Sequence, residues 1–448
     1  MPVTLRLASP FGITLLGSLV ALSAFFLGGH LIAFVGLIVL LLIMRQSLLL
    51  ILVAGTAFIH VFFARNSSVE YLVQDIWFTL DREVLLAIPM FILAGSVMAR
   101  GSVARYLVDV MTNIAGPLPG GLAVACIMAC AIFAAISGSS IVTLLAIGTI
   151  AFPALTNNGY SRRFAIGLIC AAGTLGIMIP PSIAMILYGI MTETSITALF
   201  TAGVMPGLLL VVMLAAYSVI MNWRVPRRKF RLGETLIAIR KGIPALLMPV
   251  ILLGGIYSGW FSPTEAAAVA LVYAVLVELL IYRDMKVADY VSVIKESVVL
   301  LGRLLPLVAI ASSLNTIMDY EGITEAWVIA IGEAVENPVL LMISVNILLL
   351  LVGCMMEVSS AMVVLSPLLE PIMTRAGFDP VHFGIVMTAN LEIGYLTPPV
   401  GLNIMVAMVA FREQFTGVVK AVMPFVFLML VWLMLLSFVP GIALFFAS

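Results

Sequence analysis

The sequence predicts an all-α membrane protein that crosses the bilayer many times. Of its 448 residues, 63% are hydrophobic and only 10% are charged, and the mean hydropathy is +1.24. A soluble domain carries about a quarter of its residues as charges, so this chain has too few to cover a water-facing surface. The apolar runs are continuous and do not alternate with polar residues. They therefore predict helices and not the strands of a membrane barrel.

The predicted spans each approach the roughly 20 residues that a helix needs to cross a bilayer. They are residues 11–29, 31–46, 48–64, 84–100, 163–192, 198–222, 243–259, 264–282, 303–318, 380–407 and 416–446. The first apolar stretch is followed by no small-residue cleavage site, so residues 1–30 are predicted to be a retained transmembrane helix. Residues 68–82 and 288–302 mix apolar and charged positions, which fits either surface helices or amphipathic linkers.

Charge, cysteines and motifs exclude several classes of protein. Equal numbers of basic and acidic residues, 22 of each, give no sign of nucleic-acid binding. The cysteines all lie in apolar runs, which favours structural over metal or redox roles; they are Cys126, Cys130, Cys170 and Cys354. The sequence has no Ser-His-Asp order, phosphate-binding glycine loop or paired metal-ligand motif, so an enzyme is not predicted.

A basic linker at residues 223–242 gives the strongest orientation signal. The positive-inside rule places it in the cytoplasm, and the other basic loops agree if two segments enter and leave on the same side. These re-entrant hairpins are residues 119–156 and 336–374, with polar turns at Ser137–Ser140 and Glu357–Ser360. Polar backbone at membrane depth is tolerated only where protein or a water-filled cavity surrounds it.

The two halves of the chain also match each other. A shift of 218 residues pairs prolines and glycines of one half with those of the other, although the polar turns need a shift of 220. The matched pairs are Pro153 with Pro371, Gly159 with Gly377, Gly176 with Gly394, and Pro180-Pro181 with Pro398-Pro399. Opposite entry sides for the two hairpins predict inverted repeats over residues 31–222 and 243–448, the sequence pattern of a transporter with a midplane binding site.

A double proline interrupts the helix that follows each hairpin, at residues 163–192 and 380–407. Proline removes a donor and clashes with the preceding turn, so each pair predicts an unwound segment with free carbonyl groups. Carbonyl and hydroxyl oxygens are ligands for a hard cation such as sodium, and the half-helix that follows points its positive end at an anion. A kink in a packed helix is the alternative for each proline pair.

The polar turns allow two interpretations as well. Ser137 and Ser139 fit ion binding, but also hydrogen bonding or close packing between helices. Glu357 predicts a bound cation if it lies at the midplane, because an unpaired carboxylate is costly there, whereas a position nearer the interface requires none. By contrast, Ser262–Glu265 predicts only a capping box that opens a helix.

Five segments together resemble the large permease subunit of TRAP transporters, over about residues 31 to 447. They are Ile88–Gly95, Ser137–Ser140, Ile179–Ser182, Gly254–Ala268 and Thr397–Asn403. The resemblance implies an elevator-type carrier in the bacterial inner membrane that imports small organic anions, such as carboxylates, in symport with sodium. It also implies two partners, a small four-helix membrane (Q) subunit and a periplasmic substrate-binding (P) protein.

The resemblance also implies a set of site residues, several acting through backbone carbonyls. One sodium site would comprise Ser137, Ser139, Gly176, Ile179 and Pro181. The repeat-related site would comprise Ser359, Gly394, Thr397 and Pro399, to which the charge argument adds Glu357. The adjacent polar residues predicted for the substrate are Ser140, Ser182, Ser360 and Asn403. No cofactor is expected apart from the coupling sodium ions.

Two features depart from the family pattern. The helix at residues 11–29 is additional to the usual start and would move the amino terminus to the cytoplasm. The second turn offers Glu357 where the first offers Ser137, so the two cation sites would differ in charge. The competing class is a stand-alone sodium–carboxylate symporter or cation antiporter, which would have similar hairpins without a binding protein. An intramembrane enzyme is a third class, for which no catalytic residues are evident.

Overall fold

The structure is a computed structural model that describes residues 33–63 and 69–447. All regular secondary structure in these residues is helical, which confirms the prediction of an all-α protein. The predicted first helix lies outside the described residues. The described residues divide into two compact units, one of residues 33–63, 69–82 and 302–330 and the other of residues 83–301 and 331–447.

The first unit contains three helices near the start of the described chain. These are α1 (Ala33–Ile43), α2 (Leu48–Phe62) and α3 (Val69–Leu80). Ser47 opens α2, and its hydroxyl accepts the Leu50 amide at 3.3 Å. The unit also holds residues 302–330, where the Ser313 hydroxyl donates to Asp75 on α3 at 2.9 Å.

The second unit contains the hairpins and the broken helices. Its first half comprises α4 (Ala87–Arg100), α5 (Val103–Ala115), α6 (Gly121–Ser137), α7 (Ser140–Asn157), α8 (Arg162–Gly173), α9 (Leu175–Met178), α10 (Ile183–Thr192) and α11 (Ile196–Met221). After the basic linker come α12 (Leu232–Tyr257), α13 (Pro263–Leu276) and a π-helix (Val277–Tyr282). α14 (Val287–Tyr320) and α15 (Ile323–Ala334) each have residues in both units. The second unit ends with α16 (Pro338–Gly353), α17 (Val358–Arg375), α18 (Pro380–Gly394), α19 (Leu402–Phe411), α20 (Phe415–Phe438) and α21 (Pro440–Leu444).

Eight helical segments of the described chain are long and apolar enough to cross a membrane. They are Glu83–Arg100, Ser140–Asn157, Arg162–Thr192, Ile196–Met221, Leu232–Tyr257, Pro263–Tyr282, Val287–Tyr320 and Phe415–Phe438. Two of them differ from the sequence prediction. Ser140–Asn157 was predicted as part of a re-entrant hairpin, and residues 288–302 and 303–318 form a single helix of 34 residues and not a surface helix or linker followed by a span. Pro306 lies inside α14 and does not end it.

The predicted capping box at the start of α13 is confirmed. The Ser262 hydroxyl accepts the Glu265 amide at 3.2 Å, and the Glu265 carboxylate accepts the Ser262 amide at 2.8 Å. Two backbone donors at the helix start are thereby satisfied reciprocally.

The broken helices lie deep inside the second unit. In the most apolar part of Arg162–Thr192, 89% of the residues are buried. Every residue of α18 from His382 to Gly394 is also buried. These two segments are surrounded by protein, which is where an unwound backbone can exist in a membrane protein, whereas α19 has exposed residues such as Met405 and Val409. The interruptions fall at residues 179–182 and 395–401, around the two proline pairs.

Candidate ion and substrate site

The turn of the first hairpin is short and closely packed. α6 ends at Ser137, and Gly138 takes the left-handed conformation (φ +57°) before α7 begins at Ser140. A side chain on Gly138 would approach the carbonyl oxygen of Pro181 to 3.1 Å. The turn therefore lies directly against the proline pair of the first broken helix.

Neutral oxygens meet at this first turn. The hydroxyls of Ser137 and Thr143 are 2.7 Å apart, and Thr143 donates to the Ser139 carbonyl at 2.9 Å. A Cβ atom on Gly176 would lie 2.4 Å from that same carbonyl oxygen, so only glycine lets the broken helix approach this closely. Ile179 continues the cluster with extended backbone beside the proline pair.

The first hairpin and its broken helix are called the first module, which comprises α6 to α10. The structure brings four of the residues predicted for one sodium site together here: Ser137, Ser139, Gly176 and Pro181. Thr143 is an additional member that the sequence analysis missed. Its position one helical turn after Ser139 allows its side chain to reach back to that carbonyl, a common use of threonine in helices.

The second hairpin and its broken helix, α16 to α19, are called the second module. A Cβ on Gly394 would lie 2.5 Å from the carbonyl carbon of Gly353, at the end of α16. The Gly401 amide donates to the Cys354 carbonyl at 3.1 Å, and the Val358 amide donates to the Tyr395 hydroxyl at 2.8 Å. The hairpin therefore contacts its own broken helix, as in the first module.

The residues predicted for the second sodium site differ from one another in burial and in hydrogen bonding. Gly394 is buried against the end of α16, and Thr397 donates its hydroxyl to the Ile393 carbonyl at 2.9 Å. Glu357 and Pro399 are exposed, and Ser359 is half-buried. No hydrogen bond of the described residues involves the Ser359 side chain. Gly353 and Tyr395, which the sequence analysis missed, make the closest contacts instead.

Glu357 caps the start of α17. Its carboxylate accepts the Ser360 amide at 3.1 Å and the Ser360 hydroxyl at 3.2 Å. This is N-terminal capping, which also places a negative charge at the positive end of the helix. Ser360 was predicted to bind the substrate, but its amide and its hydroxyl both donate to the Glu357 carboxylate.

Two other residues predicted for the substrate connect the modules. The Asn403 amide of α19 donates to the Ser140 hydroxyl of α7 at 2.7 Å, and neither side chain is exposed. Ser182 is also buried, and its hydroxyl has no hydrogen-bond partner among the described residues. The sequence places Ser140 and Asn403 far apart, so only the fold reveals their contact.

Glu392, on α18, is the main functional candidate that the sequence analysis overlooked. It is buried within two residues of Gly394, and neither carboxylate oxygen has a hydrogen-bond partner among the described residues. A signal was present in the sequence, because an ionisable residue inside an apolar run is a functional candidate by default.

The described residues contain no group of three or more histidine, cysteine, aspartate or glutamate side chains placed to hold a metal ion. The cysteines are buried and form no disulfides.

Paired hairpins packed on interrupted helices define this molecule as a membrane transport protein of the broken-helix type. Its fold resembles that of the Alcanivorax borkumensis YdaH transporter, with a TM-score of 0.62 and 15% identity over 88% of this chain and 96% of the other. A weaker likeness, with a TM-score of 0.51 and 13% identity, exists to Neisseria gonorrhoeae MtrF over 82% and 83% of the two chains.

Residues 34–442 match the family described as the tripartite ATP-independent periplasmic transporter, DctM component. The chain therefore belongs to this family and is a TRAP transporter large permease, in a family of transport proteins and not of enzymes. It is 42% identical to the C4-dicarboxylate TRAP transporter large permease protein DctM of Pseudomonas aeruginosa, over 84% of this chain and 89% of that protein.

Other relatives have different names. The isethionate TRAP transporter permease protein DctMQ of Oleidesulfovibrio alaskensis is 37% identical over 86% of this chain, which matches only 61% of that longer protein. The ectoine TRAP transporter large permease protein TeaC of Halomonas elongata is 36% identical over 86% of this chain and 90% of that protein. Membership of the family thus leaves the transported molecule open.

Proposed function

We propose that this permease imports a small organic anion across the bacterial inner membrane in symport with sodium. The observation that carries the proposal is the direct packing of each hairpin turn onto its own broken helix, at Gly176 and at Gly394. In transporters with repeated halves, paired interrupted helices of this kind supply the sites for substrate and coupling ion.

Sodium fits the chemistry of the first module. Ser137, Thr143 and the Ser139 carbonyl present neutral oxygens within hydrogen-bond distance of one another. Oxygen ligands without a strong net charge suit a hard monovalent cation. In the second module, the backbone next to Gly394, the Thr397 hydroxyl and the Glu357 carboxylate would hold the second ion. These residues bind and orient the ion, and the close glycine contacts exclude side chains from its surroundings.

An anionic substrate is supported by three helix starts. α7, α10 and α19 begin at the two modules, and none of them has a side-chain cap. Their helix dipoles favour negative charge, although at α19 the Gly401 and Asn403 amides already donate to the Cys354 and Tyr395 carbonyls. Ser182, which precedes α10, adds a buried hydroxyl without a partner. A carboxylate or sulfonate group would match these donors.

The proposed transport cycle is elevator-like, with hairpins and broken helices moving as one body. Support comes from backbone contacts too close to slide independently, such as Gly394 against Gly353. The proposed partners are a small membrane (Q) subunit and a periplasmic (P) binding protein, as the tripartite family description implies. The 42% identity to a C4-dicarboxylate permease makes C4-dicarboxylates the first cargo to test, before isethionate and ectoine.

The test is uptake into proteoliposomes that contain this chain with its small subunit, in the presence of the binding protein loaded with labelled substrate. Uptake is expected under an inward sodium gradient and not under an equal potassium or proton gradient. Equal uptake in sodium-free buffer would contradict sodium coupling. Uptake that needs no binding protein would instead support the stand-alone symporter, the competing class.

A further inference from the structure

Glu392 has a buried carboxylate that no hydrogen bond or ion pair of the described residues stabilises. Only 2% of the residue is exposed, and both carboxylate oxygens lack a hydrogen-bond partner among the described residues. No lysine, arginine or histidine forms an ion pair with it there. A carboxylate is normally buried only when it is paired, hydrogen-bonded or bound to a metal ion.

Glu278 shows how this same chain buries a carboxylate for structural purposes. It is fully buried in the π-helix, and one of its oxygens accepts the amides of Ser102 and Val103 at 2.8 and 3.1 Å. Those amides belong to the start of α5, so Glu278 caps a helix. Glu392 lies near the end of α18, inside its buried stretch His382–Gly394, and caps no helix start.

The groups around Glu392 are also rich in oxygen. The Ser140 side chain lies beside its carboxylate, although it does not meet the geometry of a hydrogen bond, and the negative charge of Glu357 also acts on this carboxylate. Ser140 in turn accepts the Asn403 amide at 2.7 Å, which leaves the buried carbonyl oxygen of Asn403 without a partner. The cluster thus has surplus acceptors and lacks a positive charge.

We propose that Glu392, Ser140 and Asn403 form a further sodium site at the contact between the first hairpin and the second broken helix. The inference rests on the proposed sodium-coupled function, and it assigns Ser140 and Asn403 to the cation rather than to the anionic substrate. The site differs from the two predicted ones because it draws ligands from both modules: Ser140 from the first, Glu392 and Asn403 from the second.

A bound cation at this place links the two modules. Ser140 begins α7, directly after the first turn, whereas Asn403 lies in the first turn of α19, just after the second proline pair. Sodium would therefore hold the two modules in one arrangement. It would also neutralise the Glu392 carboxylate, which would otherwise repel an anionic substrate.

The test measures radiolabelled sodium bound per chain at saturation, with the purified full chain. Glu392→Gln is expected to bind about one sodium ion fewer than the wild type, because a carboxylate ligand of a hard cation is lost. The control is Glu336→Gln, which removes an exposed carboxylate between α15 and α16 and should bind as many ions as the wild type. An unchanged count in Glu392→Gln overturns the proposal.

A second measurement covers the case in which Glu392→Gln fails to fold. Wild-type protein is treated with a hydrophobic carbodiimide, and modification of Glu392 is followed by mass spectrometry. Sodium is expected to slow the modification where potassium does not; equal rates in both salts overturn the proposal. A wild type that binds no sodium at all would refute the sodium-coupled function itself. A wild type that binds sodium without any effect of Glu392 on the count, or of sodium on Glu392 modification, would refute only this additional site.

Discussion

The two modules have the same arrangement of hairpin and broken helix, but their proline pairs differ in exposure. In both, a hairpin turn contacts a glycine of the broken helix, and the proline pair contains a cis peptide bond. In the first module Pro180, Pro181 and Ser182 are not exposed, whereas in the second Pro399 and Val400 are exposed. The two proline pairs thus lie in different surroundings.

Capping differs in the same way. The first turn leaves the start of α7 without a side-chain cap, whereas Glu357 caps α17 through Ser360. A free helix start attracts an anion, and a capped one that carries a carboxylate repels it. The turn of the first module therefore favours an anion, whereas the turn of the second module carries a negative charge.

The largest effects are expected from the glycines that hold each module together. Gly176→Ala and Gly394→Ala would each place a Cβ within 2.6 Å of backbone atoms, and overpacking of this kind costs about 1–3 kcal/mol. We expect a lower Tm and uptake near background for both variants. Gly332→Ala, whose Cβ would meet nothing within 4 Å, serves as the control. Wild-type uptake by either site variant would show that its module does not need the close contact.

Thr143→Val should distinguish the modules next. The valine keeps the shape of threonine but removes the hydroxyl that joins Ser137 to the Ser139 carbonyl, at a cost of about 1–3 kcal/mol for the groups left unpaired. Thr397→Val removes only a bond to the preceding helical turn, so it should destabilise less. Both should raise the sodium concentration for half-maximal uptake. Thermal unfolding and sodium titrations check this, and equal losses of stability would contradict the difference between the modules.

Glu357→Gln tests the charge of the second module. Glutamine keeps one oxygen but caps more weakly, and loss of an N-cap typically costs about 1 kcal/mol. If the carboxylate also serves the second sodium ion, the half-saturating sodium concentration should rise while the protein remains folded. Glu357→Asp, which retains the charge, is the matched variant. A reduced Tm with unaltered sodium dependence would leave Glu357 as a cap alone.

The sequence predicted the local features of both modules because their signals are local. Proline pairs mark the interruptions, and polar residues mark the first turn at Ser137–Ser140, where the helices do break. The contact of Asn403 with Ser140 was beyond reach, since it joins residues 263 positions apart and depends on packing. The contact of Gly353 with Gly394 was missed for the same reason.

Two other misses have different causes. α14 continues through residues 288–318 because nothing in that stretch ends a helix, and a proline inside a membrane helix is tolerated when neighbouring groups adjust. Glu392 was visible as a carboxylate in an apolar run, but its lack of partners is a property of the folded protein.

The smallest effect is expected at the surface bond that also joins the two modules. The Arg162 guanidinium donates to the Glu413 carboxylate at 2.9 Å and to the Phe411 carbonyl at 2.6 Å, so the start of α8 is tied to the end of α19. The hydrogen bond from Arg162 holds the pKa of Glu413 below its ordinary value of 4.5.

A lowered pKa in the folded state means that the carboxylate stabilises the protein fully above pH 4.5 and loses this contribution as the pH falls through the lowered value. Glu413→Gln should therefore have a slightly lower Tm than the wild type at pH 6, and the gap should close as the pH decreases below 4.5. Because the pair is at the surface, added salt should narrow the gap as well. A gap that is constant across this range would mean that the charge of Glu413 contributes nothing and that Arg162 joins the modules through the Phe411 carbonyl, alongside uncharged links such as the buried Asn403–Ser140 bond.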